Sequence, residues 1–144
     1  MPKEIIDFIN SQRVCVLAFE MMDGSPHAST VHFGFDDKSL TFFFETYNIY
    51  RKGEILLKKA SIRASVVVGF DESNMKTLQL DGESRLIKQE EKELINDIYL
   101  EKFSEKKEKS KDPKVIFFIF MPKWWRYTDW TGKNGKVIIT SEDK

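Results

Sequence analysis

The stretch from His27 to Ala60 constrains the fold more than any other part of the sequence. It predicts a strand over His27–Phe35, a turn, another strand over Leu40–Thr46 and then a helix. The first strand alternates a large apolar face with a small, polar one, which leaves room for a flat ligand or another subunit. Asn48 predicts the N-cap of the helix, which we expect to run to about Lys59.

A hydroxyl and two cations fall where the second of these strands meets the helix. Thr46 ends the strand, and Arg51 and Lys52 begin the helix. Cations and the free backbone N–H groups of a helix start both favour a phosphate. The alternative is an ordinary amphipathic helix with solvated cations. Because Thr46, Arg51 and Lys52 occur together at one strand-to-helix junction, we favour an anion site over this alternative.

The rest of the chain predicts further strands, with helices between and beside them. The expected strands are Val14–Met22, Ile62–Phe70, Thr77–Lys88, Lys114–Met121, Trp124–Trp130 and Val137–Thr140. Helices are expected over Pro2–Asn10 and Gln89–Phe103, and the charged run Ser104–Lys114 predicts a solvated helix end and loop. With neither a repeat nor a long linker, these elements predict one α+β domain over residues 1–144. An antiparallel barrel of six or more strands with flanking helices fits this pattern.

Two glycines inside these elements predict tight packing. Gly53, within the expected helix, permits close approach of another part of the chain. Gly82, within an expected strand, predicts a bulge or a similar close approach.

Composition argues against several classes of function. Lys and Arg balance Asp and Glu at 23 each, so no general field attracts nucleic acid. Cys15 is the only cysteine and is predicted to be a packed, unreactive thiol. His27 and His32 have no partners at metal-ligand spacing, so we expect no metal site. No apolar run approaches the ~20 residues that span a bilayer, and we see no signal peptide, so we expect a cytoplasmic protein without membrane contact.

The segment FFFETYNIYRKGEIL resembles the FMN-binding split barrels related to pyridoxamine 5′-phosphate oxidase. That family has a strand ending in Thr, a short turn and an Arg-Lys pair that opens a helix, and the spacing from Thr46 to Lys52 matches. The stretch TLQLDGESRL around Gly82 and the WTG of Trp130–Gly132 follow in the family order. The resemblance covers Ile5 to Gly132 and is nearest to the short members of general-stress-protein type.

The resemblance implies a homodimer that holds two FMN molecules at the subunit interface. It assigns the FMN phosphate to Arg51 and Lys52, with Thr46 and Glu45 lining the approach.

The isoalloxazine ring is assigned residues from both subunits by the same resemblance. The strand residues Ser29, Thr30 and Val31 would run beside the ring and offer backbone hydrogen bonds. Thr77 would approach from the neighbouring subunit, and Trp130 would border the ring. Ordinary core or interface packing is the alternative for Trp130.

The sequence departs from the oxidases themselves at several positions. Ala28 and Phe33 stand near the places of an Arg and a Lys, Thr77 replaces a Gln, and Tyr50 replaces the Ser before the Arg-Lys pair. The C-terminal Arg-x-His-x-Arg substrate motif is absent from Val137–Lys144. The resemblance therefore implies an FMN-dependent oxidoreductase other than a true pyridoxamine phosphate oxidase. A small-molecule redox substrate or a nicotinamide donor would react with the FMN, and no catalytic side chain is assigned because the cofactor carries the chemistry.

Two other interpretations stay open at this point. Related split barrels hold haem or the deazaflavin F420 in a similar cleft, so the chain could be a binding module without turnover. An interaction dimer with an empty cleft is the third interpretation.

Overall fold

The computed structural model describes residues 1–69, 71–132 and 134–143. The regular helices are α1 (Lys3–Ser11) and α2 (Arg51–Lys58). The strands are β1 (Val14–Glu20), β2 (Pro26–His32), β3 (Gly34–Asp36), β4 (Thr41–Tyr47), β5 (Ile62–Val68), β6 (Lys76–Leu86), β7 (Val115–Asp129) and β8 (Val137–Thr140). Phe70, the predicted end of one strand, and Lys144, the last residue of the predicted domain, lie outside the described residues. Within the described part of the chain, no helix combines the length and apolarity needed to cross a membrane.

The strands form one antiparallel sheet that curls on itself. Its order is β2-β1-β5-β6-β7-β4-β3, and β8 pairs with β7. Strands β2 and β4 touch although they are far apart in this order. The sheet therefore closes into a barrel that stays split between these two strands, and the predicted α+β split barrel is confirmed.

Strand β7 is longer than predicted. The sequence predicted two strands, over Lys114–Met121 and Trp124–Trp130, but one strand of 15 residues covers both. The pairing with β6 shifts register between Asp81 and Gly82, where Gly82 faces Pro122. Because a proline is tolerated at a bulge, the strand continues through it.

The predicted strand over His27–Phe35 is broken near Phe33, which is a correction. Strand β2 pairs with β1, whereas β3 pairs with β4. The backbone N–H of Phe33 donates to the carbonyl oxygen of Arg13 as the chain changes partner. The first strand of the His27–Ala60 stretch thus forms one side of the split and then crosses to the other.

Alternation along β4 divides the hydrophobic core into two parts. Phe42 and Phe44 pack inside the barrel with α1 and α2. Phe43 faces the other way and packs against Tyr99 and Phe103. These two residues belong to residues 89–111, called here the helical connection, which contains short 3-10 turns and a π-helical turn over Ile95–Leu100. Strand β4 is therefore buried on both faces.

Helix α2 begins at Arg51, so the prediction that Arg51 and Lys52 open it is confirmed, but the prediction of Asn48 as its N-cap is wrong. Tyr50 occupies the N-cap position and makes no side-chain capping bond. The backbone N–H of Asn48 donates to the carbonyl oxygen of Lys114 at 2.8 Å, which keeps Asn48 beside β7. The predicted close approach at Gly53 is confirmed, because a Cβ there would collide with the carbonyl oxygen of Tyr47.

We expect Gly53→Ala to destabilise the protein although alanine favours helices. The helix preference gains about 0.5–1 kcal/mol, but the collision with Tyr47 should cost about 2 kcal/mol or more. Urea unfolding measures the difference. Glu54→Ala, at an exposed site in the same helix, should stay within about 0.5 kcal/mol of wild type. A Gly53→Ala variant as stable as wild type would show that α2 does not pack directly on β4.

Candidate functional site

The split between β2 and β4 contains a cavity of about 380 Å³, called here the split cavity. Five of the predicted cofactor residues line it: Thr30, Val31, Glu45, Thr46 and Lys52. A sixth, Ser29, contacts Lys52 directly. This part of the predicted site is therefore brought together within one chain.

Lys52 is the cation of the split cavity that lies deepest in the protein. Only 9% of its surface is exposed, and its Nζ donates to Ser29 Oγ at 2.8 Å. Burial lowers the pKa of Lys52. An ammonium has three N–H groups, and in the described part of the chain Ser29 is the one hydrogen-bond partner. The remaining N–H groups can bind an anion.

Two buried oxygens of residues that line the split cavity have no hydrogen-bond partner among the described residues. They are Thr46 Oγ1 and Glu45 Oε1, of which only Glu45 Oε1 has a described cation within ion-pair distance. A buried polar atom without a partner costs about 1–3 kcal/mol, so a ligand that supplies the partner recovers this energy. Thr46 can donate its proton to an acceptor such as a phosphate oxygen, whereas the Glu45 carboxylate can only accept.

Strand β2 adds main-chain groups to the split cavity. It pairs with β1 along one edge, and no other described strand pairs with it. Backbone N–H and C=O groups near Thr30 are therefore available at the free edge for a flat ligand. A buried cation with free N–H groups, an unpartnered hydroxyl and a free strand edge are groups that a flat ligand with a phosphate, such as FMN, could contact.

The far side of the split cavity holds a buried polar cluster that the sequence analysis missed. Lys106 Nζ lies 2.8 Å from His32 Nδ1 and donates to the Tyr99 hydroxyl at 3.1 Å. The same nitrogen lies 3.5 Å from Glu45 Oε1. Ser110 Oγ donates to the other oxygen of Glu45 at 3.2 Å. We call these five residues the Lys106 cluster.

The predicted solvated run Ser104–Lys114 supplied two members of this cluster. Lys107 and Glu108 are exposed as expected, but the Lys106 side chain is only 16% exposed and folds inward. The run contains several lysines, and its local pattern does not distinguish the one that meets Glu45. This part of the prediction is therefore wrong for Lys106.

Burial sets the protonation tendencies of the Lys106 cluster. It lowers the pKa of Lys106, while the charge of Glu45 opposes that shift. Burial and then the charge of Lys106 lower the pKa of His32, which keeps its ring neutral at pH 7. Burial and the charge of Glu45 raise the pKa of Tyr99. The expected state is a Lys106–Glu45 ion pair beside a neutral histidine and a neutral phenol.

Three predicted residues lie outside the split cavity. Arg51 lines a separate surface depression together with Asp23 and Glu54, because neighbouring helical residues point about 100° apart. Thr77 and Trp130 line another depression of about 470 Å³. Trp130 is 50% exposed. Within one chain, Thr77 and Trp130 therefore do not line the split cavity with Lys52.

Comparison with known proteins identifies a related family. The family model described as pyridoxamine 5′-phosphate oxidase matches residues 1–129. No curated protein matches the chain.

Solved structures of similar fold include proteins with different ligands. A haem-binding protein from Mycobacterium smegmatis is 18% identical with a TM-score of 0.73, and the match covers 94% of this chain and 55% of that one. The chain thus spans about half the length of that protein. A protein related to general stress protein 26, from Clostridium acetobutylicum, is 16% identical with a TM-score of 0.67 and coverages of 97% and 94%. A pyridoxamine 5′-phosphate oxidase-related, FMN-binding protein from Nostoc punctiforme is 14% identical with a TM-score of 0.66 and coverages of 96% and 86%. At these identities the likeness establishes the fold.

We expect Lys106→Ala to destabilise the protein much more than Lys109→Ala. Removing Lys106 leaves the buried carboxylate of Glu45 without a cation, which should cost about 3 kcal/mol. Lys109 is exposed and lies 5.0 Å from the centre of the Tyr47 ring, so its loss should cost about 0.5–1 kcal/mol. Urea unfolding at pH 7 compares the two variants. Equal losses would mean that the Lys106 cluster is not a buried ion-pair network.

Proposed function

The chain belongs to the pyridoxamine 5′-phosphate oxidase family, and on this basis we propose that it is an FMN-binding flavoprotein that works as an oxidoreductase. Residues 1–144 would act as one flavin-binding domain. The observation that carries the proposal is that one cavity is lined by the buried Lys52, by Thr46 with its unpartnered hydroxyl and by a free strand edge.

The phosphate of FMN is assigned to the end of the split cavity where α2 begins. Lys52 supplies a charge that is already oriented by Ser29, and Thr46 supplies a hydroxyl donor. The first N–H groups of α2 have no partners within the helix and favour an anion. Arg51 would add a second charge by turning from its surface depression toward the same phosphate.

The ring of FMN is assigned to the free edge of β2, while Glu45 would line the approach to the phosphate with Thr46. Main-chain groups of Ser29, Thr30 and Val31 would orient the polar edge of the ring. Bound FMN would supply hydride and electron transfer, and the chain's own residues bind it, orient it and limit its contact with water. A small-molecule redox substrate or a nicotinamide donor would exchange electrons with it.

A homodimer would complete the site. Thr77 and Trp130 lie in a depression of their own, so their proposed contact with FMN requires the partner subunit. Apolar side chains near them are unusually exposed, including Met75, Val137 and Ile138. A second copy that covers this surface would bury them and bring Trp130 to the ring.

Haem binding without turnover is the second candidate function. The similar haem-binding protein from Mycobacterium smegmatis supports it, and the deazaflavin F420 belongs to the same alternative. The absorption spectrum of the purified protein tests these functions, together with mass spectrometry of the released ligand. A flavin spectrum supports the proposal, and a Soret band supports haem. A colourless protein that takes up no micromolar FMN contradicts the proposal.

Lys52→Met should weaken FMN binding about tenfold or more, because a charge-assisted phosphate contact contributes roughly 1.5–3 kcal/mol. Riboflavin lacks the phosphate, so its affinity should change little. Fluorescence titration measures both ligands. Lys58→Met, an exposed change in the same helix, is the matched control. Equal losses for FMN and riboflavin would show that Lys52 does not bind the phosphate.

Mixed dimers should regain one FMN site when Lys52→Met chains are combined with Trp130→Ala chains. If Lys52 and Trp130 of different chains meet at each site, one site carries both defects and the other carries neither. FMN titration should then give one wild-type affinity site per mixed dimer, whereas each variant homodimer has none. A mixed dimer without a wild-type site, or a strictly monomeric protein, would contradict the proposed interface.

A further inference from the structure

The contact between Lys106 and His32 determines which nitrogen of the histidine carries the proton. A charged ammonium has three N–H groups and no lone pair, so Lys106 can only donate. His32 Nδ1, at 2.8 Å, must therefore accept. A neutral imidazole has one N–H, and in His32 that N–H is consequently on Nε2.

The surroundings of Lys106 require it to be charged. Glu45 is a carboxylate whose side chain is only 5% exposed, and Lys106 is the cation beside it. If Lys106 were neutral and accepted a hydrogen bond from His32, the buried carboxylate of Glu45 would have no cation beside it, which is strongly unfavourable. Arg13 does not take its place, because its guanidinium pairs with Glu105 and lies over the Phe103 ring.

The position of the His32 ring is fixed as well as its tautomer. Its ring packs on Phe103 with 4.9 Å between the ring centres, and the residue lines the split cavity. No described residue makes a hydrogen bond to Nε2. The cluster thus leaves His32 with one N–H donor for a ligand of the cavity.

We propose that Lys106 is a positioning residue that fixes His32 as a hydrogen-bond donor to the ligand and prevents it from binding haem iron. The inference rests on the proposed function, since it concerns the ligand of the split cavity. A histidine binds a metal through a nitrogen lone pair, and its other nitrogen donates to an acceptor. In His32 the lone pair of Nδ1 accepts a hydrogen bond from Lys106, so Nε2 carries the proton and can donate it in a hydrogen bond. A flavin ring carries carbonyl and ring-nitrogen acceptors for that proton.

The first test measures the tautomer directly in the ligand-free, wild-type protein. Proton–nitrogen correlation spectra of the imidazole rings distinguish the two neutral tautomers, and His27→Gln identifies the signals of His32. We expect His32 to carry its proton on Nε2 at pH 7.5. A proton on Nδ1 would overturn the inference, whatever ligand the protein binds.

The second test compares Lys106→Gln with Lys107→Gln. The glutamine amide oxygen can accept a hydrogen bond from an N–H on Nδ1. Lys106→Gln therefore permits the tautomer of His32 that carries its proton on Nδ1. We expect this variant to bind added haemin with a histidine-ligated spectrum that His32→Gln abolishes, and to bind FMN about two- to tenfold more weakly. Lys107→Gln, which changes the neighbouring exposed lysine outside the split cavity, should match wild type in both assays.

The outcomes separate this inference from the proposed function. Wild-type protein that ligates haemin through His32, or a Lys106→Gln variant with the tautomer and haemin spectrum of wild type, would overturn the inference. Failure of every form to bind FMN would contradict the proposed function, while the tautomer and the haemin spectra would still decide the role of Lys106. If Lys106→Gln does not fold, the tautomer of His32 measured in the wild-type protein decides whether the inference holds.

Discussion

The burial of β4 on both faces is the constraint on which the site depends. Phe42 and Phe44 fill the barrel, and Phe43 anchors the helical connection outside it. Since side chains alternate along a strand, the next two residues also point to opposite sides. Thr46 therefore faces the barrel interior and Glu45 faces the helical connection. The split cavity thereby receives one polar group from each side of the same strand.

This arrangement also positions the two buried lysines of the cavity, Lys52 and Lys106. Lys52 follows β4 after a short turn and is fixed where α2 packs on Tyr47 through Gly53. Lys106 reaches Glu45 because the helical connection packs on Phe43. Each buried cation thus depends on a close packing contact near it. Desolvation makes these charges costly unless they are paired, and the unpartnered Thr46 hydroxyl leaves a place where a ligand adds stability.

Sequence reasoning predicted the parts of the fold and site that follow from local patterns. Alternation predicted β2 and β4, and the pattern after Thr46 predicted that Arg51 and Lys52 open a helix, which begins at Arg51. The same reasoning did not separate Arg51 from Lys52, because their directions depend on where α2 begins, and the predicted cap at Asn48 was wrong. It also missed Lys106, whose partner lies on a strand far away in the sequence. Contacts of this kind arise only when the chain folds.

Ligand choice within this fold must depend on a few side chains. Similar folds at 14–18% identity include an FMN-binding protein and a haem-binding protein, so the barrel itself does not select the ligand. Two properties of the cavity argue for a phosphorylated flavin over haem. A buried ammonium with free N–H groups suits a phosphate better than it suits an apolar macrocycle. If His32 Nδ1 accepts a hydrogen bond from Lys106 as we propose, its Nε2 carries a proton and offers no lone pair to iron, so one hydrogen bond between two side chains would help to determine which cofactor the cavity accepts.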